Sequence, residues 1–271
     1  MQKISVIIPT LLKDRETLSK LISQLEKDSV VSEVILINNA RKVFKHSFSK
    51  LREIVPKKNQ KLYVNQSWNL GVKEAKEDYY VLFNDDLLIC NNFCSQVLNL
   101  IQNLDNFGCL GMDNSSVINT SDVIIPEETI FSINIDDKER KYGWGTIIFG
   151  KKELYKNIPE KIKIWCGDDY IRYVAKMQNK DVYALVGAKI FHLGGLSSSN
   201  SKLRSIEHKD ILEYSKIDKS FKKTEPYRAV KRYYSLKNVF IRFCQGLFSM
   251  GRTTQSHSPA SQALYADLKS P

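Results

Sequence analysis

Three stretches of this chain carry apolar residues on both parities rather than at alternate positions: Ile4-Ser5-Val6-Ile7-Ile8, Val34-Ile35-Leu36-Ile37 and Tyr79-Tyr80-Val81-Leu82-Phe83. A strand with water on one side alternates apolar and polar. A strand that is apolar on both parities needs cover on both faces, which helices packed on a parallel sheet provide. Between the first two stretches Leu18, Leu21, Ile22 and Leu25 recur at helical spacing, so strand, helix and strand form a βαβ unit. A short strand at Leu62-Tyr63-Val64 and a helix from Ser67 to Lys76 then lead into the stretch ending at Phe83. The expected fold is α/β, an open and mostly parallel sheet flanked by helices.

The strand ending at Phe83 runs into Asn84-Asp85-Asp86, and Phe93, Val97, Leu100, Ile101 and Leu104 mark one face of the helix that follows. Residues 107 to 140 read as a polar, half-exposed insertion. Order resumes over Tyr142 to Gly150, with a short helix from Lys151, a helix over Tyr170 to Met177 and a last strand over Val182 to Leu185. His192 precedes a glycine- and serine-rich loop, Gly194 to Ser199, whose composition suits a mobile flap. Cys90, Cys94, Cys109, Cys166 and Cys244 are odd in number, with no CxxC pair and no histidine at zinc-finger spacing. That pattern excludes a disulfide framework or structural zinc and fits a reducing cytoplasm. The apolar run before Pro9 is too brief for a signal peptide, and no run has the length of a membrane-spanning helix.

In an open parallel sheet, ligands sit outside the carboxyl ends of the strands. Those ends are Pro9-Thr10, Asn38-Asn39, Asn84-Asp85-Asp86 and, later, His192. Two adjacent carboxylates after a buried strand repel each other and lose solvation, a cost that Mg²⁺ or Mn²⁺ offsets. The competing role for Asp85 or Asp86 is to cap the helix that follows. His192 is either a further ligand or a core histidine. Asp168 and Asp169, after Trp165-Cys166-Gly167, stand where a helix begins and suit its cap, and Trp144 and Trp165 suit either the core or the flat face of a ligand.

The strand ending in Pro9-Thr10, the motif Asn65-x-x-x-Asn69-x-Gly71, the strand-terminal Asn84-Asp85-Asp86 and the later Gly167-Asp168-Asp169 occur in a characteristic order. Over about residues 3 to 200 the chain resembles family 2 of the GT-A glycosyltransferases, the inverting transferases of bacterial surface polysaccharides. The resemblance implies a metal-dependent transfer from a UDP-linked sugar to a glycan or lipid-linked acceptor. Pro9, Thr10, Asn38, Asn39, Asn65, Asn69, Asn84 and Asp85 would face the donor, Asp86 and His192 would hold Mn²⁺ or Mg²⁺, and Trp144 and Trp165 would meet the acceptor. Asp169, or failing it Asp168, would be the base. The chain departs from the family with Asn84 at the first acidic place and Asn38-Asn39 where an Asp is usual after the second strand. The division implied is a GT-A catalytic domain over 1–205, a basic, partly helical extension over 206–252, and a disordered tail or vector-derived remnant over 253–271.

The formal net charge of +11 invites a polyanionic partner, and its placement matters more than its size. From Lys222 to Arg242 seven basic residues face the single acid Glu225, interleaved with Tyr227, Tyr233, Tyr234, Phe240 and Ile241. Such a segment suits a nucleic-acid surface, an amphipathic helix on anionic lipid or a solvated helix packed on the core; the lipid-linked acceptors that the resemblance implies favour an anionic membrane surface, with the protein expected in the cytoplasm or on the inner face of the plasma membrane. Nothing in the chain resembles a nucleic-acid-binding module, so no nucleic acid partner is expected, and a basic nucleic-acid-binding protein stands as the non-enzyme alternative. A sugar-phosphate nucleotidyltransferase is the competing enzyme, but the first strand lacks a Gly-rich, Lys-containing phosphate loop.

Overall fold

A computed structural model describes residues 2–57, 59, 60, 62–119, 131–135, 144–193 and 201–250, with 201, 202 and 238–250 as backbone only. The first βαβ unit is β1 (Ile4–Thr10), α1 (Arg15–Lys27) and β2 (Val31–Asn38). Asp14 caps α1 by accepting from the Thr17 amide at 3.1 Å, and the helix buries Leu18, Leu21, Ile22 and Leu25.

The third strand is β3 (Leu51–Ile54), parallel to β2, and residues 62 and 63 are coil. The expected strand at Leu62-Tyr63-Val64 is therefore corrected. β3 reads as polar because its middle residues serve ion pairs and hydrogen bonds: Arg52 lies 3.2 Å from the buried Glu33 and 3.3 Å from Glu74, and Glu53 accepts from Asn38. Next come α2 (Val64–Glu74) and β4 (Tyr79–Phe83). A Cβ on Gly71 would stand 2.2 Å from Ile7 Cγ2, so the glycine lets α2 lie flush on β1.

After β5 (Leu87–Leu88) and α3 (Phe93–Ile101), the segment expected to open a half-exposed insertion is instead the wholly buried β6 (Phe107–Met112). Its glycines obscured it. Gly108 and Gly111 lower strand propensity, yet a Cβ on Gly111 would stand 2.3 Å from the Trp144 ring. The remaining elements are β7 (Val117–Asn119), β8 (Ser132–Ile135), β9 (Ile147–Lys151), α4 (Gly167–Met177), β10 (Asp181–Val186), β11 (Ile190–His192), α5 (Ser201–Ile217) and α6 (Glu225–Met250).

The main sheet has eight strands in the order β3-β2-β1-β4-β9-β6-β10-β8, with β9 and β8 antiparallel to their neighbours. A second sheet, β5-β11-β7, joins the chain just after β4 to the chain around His192. The path runs outward from β1 through β2 and β3, then returns to place β4 on the other side of β1. The crevice between the carboxyl ends of β1 and β4 is thus the topological switch point, where open α/β sheets bind ligands.

By internal contacts the chain separates into Met1–Phe221 and Lys222–Pro271. Residues 206 to 221 group with the first unit, in which α5 carries the buried Asp210, Ile211, Tyr214 and Ser215. In the second unit α6 begins at Glu225, which pairs with Arg232. The Gly194–Ser199 loop and the 253–271 tail lie outside the described residues.

Candidate active site

Thr10 ends β1, and its Oγ1 donates to Asp85 Oδ2 at 2.6 Å while accepting from the Leu12 amide at 2.8 Å. The first bond spans the crevice. It is possible because Leu12 takes a left-handed turn (φ 51°) that folds the chain back over the threonine. The Thr10 carbonyl accepts from the Asn39 amide at 2.9 Å, and Asn39 Nδ2 donates to Ser67 Oγ at 3.0 Å. Thr10 is thus buried and tied to both Asp85 and Asn39, while Pro9 and Asn39 are half-buried at the carboxyl ends of β1 and β2. On the other side the Asn84 amide donates to the Thr146 carbonyl at 3.3 Å, and Asn84 itself is half-buried.

Burial pushes the Asp85 carboxyl above its ordinary range, and the neighbouring Asp86 charge adds to this, against the pull of the Thr10 hydroxyl. Asp86 Oδ1 lies 3.2 Å from His192 Nε2. That contact is a product of the second sheet: β5 pairs antiparallel with β11, placing Leu87 opposite His192, and the Leu193 amide donates to the Asp86 carbonyl at 2.9 Å. The two residues proposed from sequence as metal ligands are thus side by side. Among the described residues no group of three or more His, Cys, Asp or Glu side chains converges, and the donors they place at this point are Asp86 and His192.

Asp168 and Asp169 occupy the first turn of α4, where the helix dipole favours negative charge. Cys166 before them is buried and left-handed (φ 59°), which turns the chain sharply into the helix. Asp168 is half-buried and packs on Gly145, where a Cβ would stand 2.9 Å from its Oδ2. Asp169 is 6% exposed, and its carbonyl accepts from the Tyr214 hydroxyl at 3.0 Å. Burial and the charge of Asp169 push the Tyr214 phenol far up, which keeps it a neutral donor.

Several sequence assignments change. Asn38 is wholly buried, and both halves of its amide are engaged: it donates to the Lys42 carbonyl and to Glu53, and accepts from the Ala40 and Arg41 amides. It shapes the turn after β2 rather than facing a ligand. Asn69 donates to the Ile158 carbonyl and accepts from the Ile158 amide and the Tyr155 hydroxyl. Asn65 donates to the carbonyls of Ile162 and Trp165. One turn apart on α2, these two asparagines hold the chain that leads into α4, so their place in the motif is structural. Trp144 is 1% exposed, packed against Gly111, with its indole N–H on the Tyr183 carbonyl and the Arg172 guanidinium 5.2 Å from its ring. No ring face is left for an acceptor sugar. Trp165 is half-buried and lies beside the acidic turn.

Asp210 of α5 lies outside every motif at the strand ends. It is wholly buried and accepts the amides of Lys163, Ile164 and Trp165 at 3.0, 2.8 and 2.9 Å. Burial pushes its carboxyl up, and the three amides draw it back only in part. A signal existed: Leu203, Ile206, Asp210, Tyr214 and Ile217 follow helical spacing, which puts an acid in an otherwise apolar stripe.

No family model and no curated protein matches the chain by sequence. Among solved structures, TarS 1–349 of S. aureus superposes with a TM-score of 0.51 at 14% identity, covering 79% of this chain and 66% of that one. The fold is of the GT-A type. A second TarS structure from S. aureus superposes with a TM-score of 0.47 at 14% identity, covering 79% of this chain and 40% of that one. Because this chain spans just under two thirds of TarS 1–349, the likeness fixes architecture and leaves activity to be argued from the site.

Proposed function

We propose that this GT-A chain is an inverting glycosyltransferase that moves a sugar from a nucleoside-diphosphate sugar, UDP-linked, to a hydroxyl of a glycan or lipid-linked acceptor. The observation that carries the reading is the pairing of Asp86 with His192 at the rim of the β1–β4 crevice, beside a Thr10–Asp85 bond that closes its floor. Asp86 Oδ1 and His192 Nε2, 3.2 Å apart, have about the separation of adjacent ligands on one octahedral Mn²⁺ or Mg²⁺. With two protein donors, the other positions suit phosphate oxygens and water. The bound ion would neutralise charge on the departing diphosphate.

The chain's own residues account for the rest. Pro9, Thr10 and Asn39 offer a wall for the nucleoside, with Asn84 opposite. Asp169 accepts the proton of the acceptor hydroxyl as that oxygen bonds to the anomeric carbon and the bond to the diphosphate breaks. Asp168, the more exposed of the pair, is the competing base. Trp165 beside this turn supplies a flat apolar face for the acceptor.

The second unit supports docking on an anionic membrane, in keeping with synthesis of a bacterial surface polysaccharide at the inner face of the plasma membrane. Lys222, Lys223, Arg228, Lys231, Arg232 and Lys237 are exposed, and Tyr233 and Leu236 leave 48% and 70% of their surfaces in solvent. Among the described residues no helix is long and apolar enough to cross a membrane.

The test is calorimetric titration with UDP, GDP, CDP and dTDP, each with and without Mn²⁺. UDP should bind at least about tenfold more tightly with Mn²⁺, and Asp86→Asn should remove that enhancement, worth about 1.4 kcal/mol. If none of the four nucleotides gains affinity from the metal, the transferase reading fails.

A further inference from the structure

The segment from Ile162 to Asp169 is held from two helices, by α2 through its carbonyls and by α5 through three of its amides and one carbonyl. From α2, Asn65 Nδ2 and Gln66 Nε2 donate to the Ile162 carbonyl, and the Asn65 amide donates to the Lys163 carbonyl. From α5, the Asp210 carboxylate accepts three successive amides, those of Lys163, Ile164 and Trp165. One turn further along α5, the Tyr214 hydroxyl donates to the Asp169 carbonyl at 3.0 Å. The three amides lie outside any helix or strand, in half-buried residues, and the acceptor they share is the wholly buried Asp210 carboxylate. A single carboxylate that accepts three consecutive N–H groups fixes the chain direction over those residues. Only one residue, Cys166, separates them from the start of α4, which carries Asp168 and Asp169.

We propose that Asp210 is a positioning residue for sugar transfer: by gathering the 163–165 amides it sets where Trp165 and the acidic first turn of α4 stand relative to the crevice. The inference rests on the transferase reading for its consequence in turnover, while its structural part stands apart from it. Tyr214 acts with Asp210 as the second tie. Neither residue touches donor or acceptor. α5 thus belongs to the machinery of the site although it follows the acidic motifs by some forty residues.

Residue-resolved amide hydrogen exchange on the full chain tests the first half. In the wild-type protein the amides of Lys163, Ile164 and Trp165 should exchange slowly despite lying in a loop. Exchange at the rate of exposed amides would overturn the proposal without any variant. In Asp210→Asn, which keeps the size but loses the charge and one acceptor oxygen, those amides should exchange at least about tenfold faster. The strands β1, β4 and β6 should keep their protection. Uniform acceleration across the sheet would mean that Asp210 supports general stability only, and the proposal would fall. For the second half, turnover of UDP-glucose, UDP-galactose and UDP-N-acetylglucosamine is measured beside UDP titration with Mn²⁺. Asp210→Asn should lower kcat at least about tenfold on whichever donor turns over, with UDP affinity held within about twofold. A matching loss of UDP affinity would count against positioning. If the wild-type chain turned over no donor and bound no nucleotide, the transferase reading would fail, while the exchange result would still decide whether Asp210 holds the loop.

Discussion

At the scale of single residues, the side-chain amides of this protein divide by what they are bonded to. Asn38, Asn39, Asn65, Asn69 and Asn84 all sit in motifs that point to a donor site, and an amide in sequence carries no mark of which way it is spent. In the fold, Asn38 and Asn69 use both halves of their amides and Asn65 donates to two backbone carbonyls, while Asn39 donates to Ser67 and Asn84 is half-buried after β4. The distinction is measurable. Asn69→Ala removes bonds to both the N–H and the C=O of Ile158 and to the Tyr155 hydroxyl. It should cost about 2–4 kcal/mol of stability in urea unfolding, since each bond contributes about 1 kcal/mol and the orphaned partners add more. UDP affinity should change less than about twofold. A pronounced loss of nucleotide binding with stability intact would return Asn69 to the donor site.

At the scale of elements, β3 and β6 escape the apolar pattern for two different physical reasons. β3 is an edge strand whose Arg52 and Glu53 make charged and polar contacts, so it lacks the apolar signature that marks β1, β2 and β4. β6 is hidden for the opposite reason. It is buried throughout, but two of its residues are glycines, chosen by what lies against them rather than by strand propensity. Gly111→Ala would put a methyl group 2.3 Å from the Trp144 ring and 2.5 Å from its carbonyl oxygen. The backbone atom cannot swing aside as a side chain can. The expected cost is at least about 3 kcal/mol, at the upper end of overpacking, read as a lowered urea midpoint with an unchanged slope. A change below about 1 kcal/mol would show that β6 and the Trp144 turn are not pressed together as described.

At the scale of the whole molecule, the question is where the catalytic unit ends. The acidic motifs stop at Asp169 and the sequence suggests a boundary near residue 205, yet the chain separates by contacts after Phe221. A chain of residues 1–221 keeps Asp210 and Tyr214. Its melting temperature should lie within about 2–4 °C of the full chain, the shift that 1 kcal/mol produces at this size, and UDP binding should be retained. The same chain should lose binding to vesicles containing anionic lipid, because the exposed basic residues from Lys222 to Lys237 are gone. A chain of residues 1–205 loses both ties to the 163–169 segment and should not give a cooperative unfolding transition. If 1–205 unfolds as cooperatively as 1–221, α5 is dispensable.

What the sequence determined by itself is the sheet and its chemistry at the strand ends. Apolar runs on both parities dictate strands covered on both faces, and the acids and amides that follow them fall at the carboxyl edge because the strands are parallel. These are local consequences, readable wherever a run of residues must be buried. Only the tertiary structure decided which of those polar groups remain available. Asp86 meets His192 because a second small sheet joins two distant segments, and Asp210 reaches the loop before α4 from a helix that follows it. A buried polar group must find a partner, and the partner is set by the path of the chain through space, which no local pattern records.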